Sequence, residues 1–362
     1  MTLPWFIFST LLLLMLVSAV YRRFALRKVS YSRYFSEERV YVGEQVEMIE
    51  EIVNGKLLPL PWLRLESSIA TGLAFGSQEN LGISSGEIYQ NHISLFYLRP
   101  YRRIKRRHRI TCERRGLFRL ESVTVTTGDM FGIGGHVNTF PLKLELMVYP
   151  EPLSKEELPL PVHSWLGELA VKRWIIEDPF LTSGTREYIP GDALSLVNWK
   201  ATARTGAMQV HRKDYTADSR LVVCLNVEDS DSMWRSVTDA GRIELGIRFT
   251  ATVAESAMYS GIETGLLCNG RLEGDREHEP VTAGPMGSLE EMLELLACLQ
   301  LDRTLPMSRL LELEAEKGTE DTDYLIISCH RGPELQAAAE QLRSLGNGVE
   351  WLDIPEIGGA GV

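Results

Sequence analysis

The chain has 362 residues, 44% of them hydrophobic and 24% charged, with a formal net charge of −11 and a pI near 5.3. That length and apolar content support two folded domains, each burying its own core, and exclude a disordered chain. The acidic balance and the absence of any nucleic-acid motif exclude a basic nucleic-acid footprint.

Leu3 to Tyr21 is a run of nineteen residues without a charged side chain. As a helix rising about 1.5 Å per residue it spans roughly 28 Å, the thickness of a bilayer's hydrocarbon core. A secretory signal peptide carries its positive charges before the apolar run, whereas Arg22, Arg23, Arg27 and Lys28 all follow it. The sequence therefore predicts a transmembrane anchor and basic juxtamembrane segment over 1–29. The positive-inside rule then places residues 22–362 in the cytoplasm, as a single-pass protein of the cell membrane.

Residues 30–150 alternate with a period of two, in 39–54, 61–68, 87–98 and 102–127, which predicts an antiparallel β-sandwich domain. Val42-Gly43-Glu44 and Arg115-Gly116 read as turns, and Asn54-Gly55 as a hairpin dipeptide with positive φ. From Arg99 to Arg119 there are ten Lys or Arg and one acid, Glu113, while Glu273 to Asp323 holds fourteen acids and four bases. The basic run, following a membrane anchor, is a candidate surface for anionic lipid or simply a solvated hairpin face. The cysteines Cys112, Cys224, Cys268, Cys298 and Cys329 are odd in number and scattered, the pattern of reduced thiols rather than a disulfide frame.

Pro150, Pro152, Pro159 and Pro161 open a connector over 151–219, and within it residues 184–204 read GTREYIPGDALSLVNWKATAR. Charges and aromatics alternate there in a way that fits neither a helix nor a strand face, around the Pro190-Gly191 turn. The stretch resembles the signature of the bacterial family called domain of unknown function 58, close to G-x-R-E-Y-x-P-G-D followed by hydrophobic-Asn/Asp-Trp-Lys and A-R. Ser195 stands where that family more often carries Arg. Residues 112–133 and 144–153 are similar to further elements of the same family. The resemblance implies a membrane-anchored protein with a von Willebrand factor A-like domain, working with a MoxR-type AAA+ ATPase.

From Arg220 onward apolar strands at 221–227, 264–270, 324–328 and 349–354 alternate with helical patterns at Val237 to Tyr259, Leu289 to Leu299 and Glu334 to Leu345. This predicts a doubly wound α/β domain over 220–362, in agreement with the von Willebrand A-like expectation. Ligands collect at the carboxyl ends of strands in such sheets. There the fold's metal-ion-dependent adhesion site uses Asp-x-Ser-x-Ser, and this chain has Asn226, Glu228 and Ser230. A register slip onto Asp229 and Asp231 serves no better, and the later strand ends in Ser328-Cys329-His330 without an aspartate. The site reads as degenerate, with no metal and no cofactor expected.

The signature residues Arg186, Glu187, Tyr188, Gly191, Asp192, Asn198, Trp199, Lys200 and Arg204 leave three roles open. A charge-paired interdomain brace anchored by Trp199 and Tyr188 is favoured over catalysis, and a partner-binding surface stands between the two. No nucleophile has a partnered base, and His163, His211, His278 and His330 are isolated. The expectation is thus a non-enzymatic membrane adaptor or scaffold. Its rival is an envelope-related hydrolase using Asp192 or Glu187 as a base.

Overall fold

A computed structural model describes residues 2–356 apart from 77–80, 87–88, 130–134, 155–156, 159–161, 163, 170–176, 190–193, 216–219, 231–232, 234–236 and 275–276. The chain divides into two compact units, Met1–Glu151 and Pro152–Val362.

The first unit opens with a helix over Thr2–Phe24. Ser9 and Thr10 turn their hydroxyls back onto the Phe6 and Ile7 carbonyls, so even its polar side chains show no polar face. Trp5, Phe6, Phe8, Leu12 and Leu16 are exposed, and the helix is long and apolar enough to cross a membrane. Only its last turns pack. Val17, Tyr21 and Ala25 enter an apolar cluster with Ile52, Leu60, Leu63 and Leu98.

Ten strands follow: β1 (Val29–Phe35), β2 (Arg39–Tyr41), β3 (Gln45–Asn54), β4 (Leu60–Ala70), β5 (Leu73–Phe75), β6 (Leu81–Ser85), β7 (Tyr89–Leu98), β8 (Arg103–Cys112), β9 (Gly116–Gly128) and β10 (Gly135–Tyr149). Among the described residues they form a four-stranded sheet, β1-β3-β8-β5, and a six-stranded sheet, β2-β10-β9-β4-β7-β6. All pairings are antiparallel except that of β2 with β10. Alternate residues of each sheet meet in shared clusters. Met48, Ile110 and Cys112 lie with Leu120, Leu146 and Val148, and Val29 and Ile52 with Leu65, Val123 and Val125.

Between these two clusters the inward row changes chemistry. Glu50, on the same face of β3 as Met48 and Ile52, is only 1% exposed and is bound by Arg33 Nη2 at 2.7 Å and Tyr31 Oη at 2.7 Å. His108 Nε2 lies 3.5 Å from its other oxygen, and Arg33 also reaches Ser67 across the core at 3.0 Å. Burial by itself would raise the Glu50 carboxyl, but His108, Arg33 and Tyr31 together hold it down at about 2. His92 is buried nearby against Phe75, with ring centroids 4.1 Å apart and, among the described residues, no hydrogen-bond partner on either nitrogen. Burial, aided by the Arg33 and His108 charges, drives it down to about 4.

One expectation changes here. Asn54-Gly55 is not a hairpin turn, since β3 and β4 belong to different sheets and Gly55 has no positive φ. A Cβ at Gly55 would meet the Lys28 carbonyl at 3.2 Å, so the glycine serves a close backbone approach. In the basic run from Arg99 to Arg119, Arg103, Lys105, Arg107 and Arg109 share an exposed face of β8 while Arg106 is on the other face. Within β8 it faces the acids of β3, pairing Arg103 with Glu51, Arg106 with Glu50 and Arg107 with Glu47.

In the second unit β11 (Glu177–Glu187) and β12 (Gln209–Tyr215) form an antiparallel ribbon. The remaining strands are β13 (Arg220–Leu225), β14 (Glu263–Cys268), β15 (Arg271–Leu272), β16 (Val281–Ala283), β17 (Leu299–Gln300), β18 (Thr322–Ser328) and β19 (Gly348–Asp353). Five of them make the sheet β16-β14-β13-β18-β19, parallel throughout except for β16. Buried on both faces, its strands are near-continuous apolar runs. Cys224, Leu267, Tyr324 and Ile326 pack under the helices Met307–Glu316 and Pro333–Ser344. On the opposite face Leu225 approaches Gly246 of the Ala240–Tyr259 helix, next to Leu289–Cys298. The Met307–Glu316 helix was hidden in the acidic run. Its buried residues Met307, Leu310, Leu311, Glu314 and Ala315 nevertheless keep helical spacing.

The polar row in the first unit makes that unit acid-sensitive in two windows. His92 stays neutral in the fold while the unfolded chain takes a proton below its ordinary 6.5, so stability falls as pH drops from 6.5 toward about 4. Glu50 contributes stability above its ordinary 4.5 that is lost as pH falls toward about 2. Urea unfolding followed by amide exchange in β3 and β8 is expected to show both declines. His92→Gln should remove the higher window and leave the lower one intact.

Candidate functional site

Two places concentrate polar chemistry in the second unit, the signature hairpin and the carboxyl end of the parallel sheet. On the hairpin, Val197 bridges to Val210 and both are buried, which seats the short Trp199–Thr205 helix on the ribbon. Asn198 caps that helix by accepting from Ala201 N–H at 3.0 Å, and its own N–H donates to the Gln209 carbonyl at 2.8 Å. Gly206 ends it with φ 73°, donating to the Thr202 carbonyl at 2.9 Å. The hydrophobic-Asn-Trp-Lys motif thus has a local cause: one buried residue, one cap, then two outward positions.

Those outward positions are open to solvent. Trp199 is 67% exposed, and Lys200, Arg204, Arg186 and Glu187 are exposed as well. Tyr188 is half-buried, its N–H donating to the Met208 carbonyl, and Arg186 Nη1 donates to the Glu187 carbonyl at 3.1 Å. Ile189, Leu194 and Met208 add exposed apolar surface to the same hairpin. Gly191 and Asp192 lie outside the described residues. The described cavities lie elsewhere, one beside Arg220 and Glu263, the other along Ser67 and Asn91.

At the sheet end the side chains close on one another. Asn226, fully buried, accepts at Oδ1 from Glu228 N–H at 3.0 Å and from Asn269 Nδ2 at 2.9 Å, and donates from Nδ2 to Ser328 Oγ at 3.0 Å. Asn269 Oδ1 accepts from Val227 N–H at 2.8 Å, while its carbonyl accepts from Thr304. Glu228 turns its carboxylate to Arg303, 2.7 Å away, and to the Met307 N–H at 3.4 Å. Ser230 does not join this ring and donates instead to Asp229. Burial would raise the Asp229 carboxyl, but the N–H groups of Thr238 and Asp239 hold it low. Among the described residues no group of three or more His, Cys, Asp or Glu is arranged to hold a metal ion.

Sequence reading found Asn226, Glu228 and Ser230 but missed Asn269 and Arg303. The available signal was an asparagine ending each of two adjacent apolar strands, at Asn226 and Asn269. Arg303 carried no signal, since it lies 75 residues from Glu228.

Residues 184–317 match the family described as protein of unknown function DUF58. That region is similar to proteins of this family. It begins at the signature and ends just after the Met307–Glu316 helix, so it holds the signature and the residues Asn226, Glu228, Asn269 and Arg303, while Ser328 lies beyond it. The chain is also 21% identical over 325 residues, 90% of its length and 76% of the relative's, to "Uncharacterized protein YeaD" of Bacillus subtilis (strain 168). A cohesin module from a Clostridium perfringens family 33 glycoside hydrolase covers 34% of this chain and 98% of its own at 13% identity and TM-score 0.25. A non-cellulosomal cohesin from Archaeoglobus fulgidus covers 35% and 94% at 11% identity and TM-score 0.22.

Removing Arg303 leaves a buried carboxylate without its cation. Arg303→Ala should cost about 3–5 kcal/mol of stability, and adding Glu228→Gln in the same chain should recover most of it. Chemical unfolding of the four chains of this double-mutant cycle checks the coupling.

Proposed function

We propose that this protein is a non-enzymatic membrane adaptor whose signature hairpin is its partner-binding surface. The observation that carries the reading is the outward display of Trp199, Ile189 and Leu194 beside Arg186, Lys200 and Arg204 on a capped, internally bonded hairpin. Aromatic residues and Arg are the groups enriched at protein contact surfaces, and a pre-ordered scaffold lowers the entropy cost of association. At the other candidate site Glu228 is tied up by Arg303, which supports binding by surface shape rather than through a shared cation. Following the family resemblance, the partner is a MoxR-type AAA+ ATPase, and the complex assembles or remodels membrane or envelope components.

The same reading takes the second unit as von Willebrand A-like, supported by a mainly parallel sheet with helices on both faces and a polar ring at its carboxyl end. It takes the first unit as a β-sandwich, supported by two sheets sharing apolar clusters. The Thr2–Phe24 helix is the single membrane span, and Arg22, Arg23, Arg27 and Lys28 after it keep the rest of the chain in the cytoplasm.

Affinity capture from detergent-solubilised membranes tests the adaptor role. An AAA+ ATPase should be recovered with the unaltered chain and lost, by tenfold or about 1.4 kcal/mol at least, with Trp199→Ala or Arg186→Ala. Capture should persist in chelator; loss in chelator with recovery on adding Mg²⁺ refutes the cation-free surface. Orientation is checked separately by protease added to intact spheroplasts, which should leave the second unit uncut.

A further inference from the structure

The end of the first unit from which the apolar helix leaves has its own surface chemistry. Three connections meet there: the 25–28 turn before β1, the 55–59 loop after β3, and the 99–102 loop before β8. Backbone hydrogen bonds join them, from Gly55 N–H to the Lys28 carbonyl at 2.9 Å, Tyr101 N–H to the Lys56 carbonyl at 3.2 Å and Asn54 N–H to the Arg102 carbonyl at 2.9 Å. The buried Asn54 side chain adds bonds to the Leu58 and Arg99 carbonyls at 3.0 and 3.1 Å. Lys28 and Tyr101, at φ 56° and 49°, hold left-handed backbone that this bonding over-determines.

The tips of this assembly are apolar. Leu57 is 74% exposed and Tyr101 69%, and Phe24 is exposed beside them at the helix end. Around them stand the exposed cations Arg27, Lys28, Arg99 and Arg102. Because Val17, Tyr21 and Ala25 are already packed in the unit's core, no slack linker separates the span from this end. A bilayer crossed by the helix therefore lies close to this end of the unit.

We propose that this helix-exit end is a docking platform for an anionic bilayer surface: Leu57 and Tyr101 enter the interface while the surrounding cations engage phosphate headgroups. The inference rests on the anchor reading. Aromatic side chains favour the headgroup level, and each near-surface Lys or Arg favours contact with an anionic leaflet about fivefold. Further along the run, Arg103, Arg106 and Arg107 of β8 are matched by carboxylates of β3. Docking holds the first unit flush with the membrane.

The full chain, carrying a fluorophore at Leu57→Cys, Tyr101→Cys or Leu12→Cys, is reconstituted into vesicles of phosphatidylcholine with or without phosphatidylglycerol. The unsubstituted chain gives the labelling background of its own cysteines. Spin-labelled lipid should quench position 12 in both vesicles. Positions 57 and 101 should be quenched by lipid and shielded from aqueous iodide with phosphatidylglycerol, and Arg99→Glu with Arg102→Glu should lower the docked-to-undocked ratio at least about tenfold. Iodide quenching at 57 and 101 equal to that in detergent, or shielding that ignores phosphatidylglycerol, overturns the platform while position 12 keeps the anchor. An aqueous position 12 overturns the anchor and the platform together.

Discussion

A carboxylate taken out of water needs a cation or several donors beside it, and both units are organised around that demand. In the first unit Glu50 sits on the inward row of β3 and draws Arg33, Tyr31 and His108 from neighbouring strands, so the polar layer fixes how β1, β3 and β8 align. In the second unit Glu228 draws Arg303, which pulls the segment after β17 over the end of β13. Neither pair is cheaper than a packed apolar core would be; the Glu50 layer makes one register of β1, β3 and β8 better than its neighbours, because a slip strands a buried charge.

The asparagine ring extends the same logic without charge. Asn226 and Asn269 use their amides on each other and on Ser328, which ties the ends of β13, β14 and β18 together. The Asn226 and Glu228 side-chain oxygens are committed to N–H groups and to a guanidinium. The chemistry is that of a closed joint, whereas the hairpin meets solvent with aromatic and cationic side chains.

Much of this was legible in the residues. The uncharged run from Leu3 to Tyr21, the two-residue alternation after it and the apolar strands after Arg220 are periodic signals that local sequence carries by itself. The signature was legible as unusual, and the hairpin explains part of its spacing, Val197 being buried, Asn198 capping and Trp199 facing outward. Asn54-Gly55 misled because a dipeptide reports a preference for turning, not which strand follows in the same sheet. The Met307–Glu316 helix has its apolar spacing interleaved with the charges of the acidic run.

What the sequence determined by itself is the apolar span, the change from period two to alternating strands and helices, and the residues of the signature. Those depend on neighbours within a few positions. Only the tertiary structure decided that Glu50 meets His108 across 58 residues, that Arg303 rather than an open position faces Glu228 across 75, and that Leu57 and Tyr101 stand at the helix-exit end. Such meetings are chosen by sheet register and loop closure, whose free energy sums over the whole fold and leaves no periodic trace in any one segment.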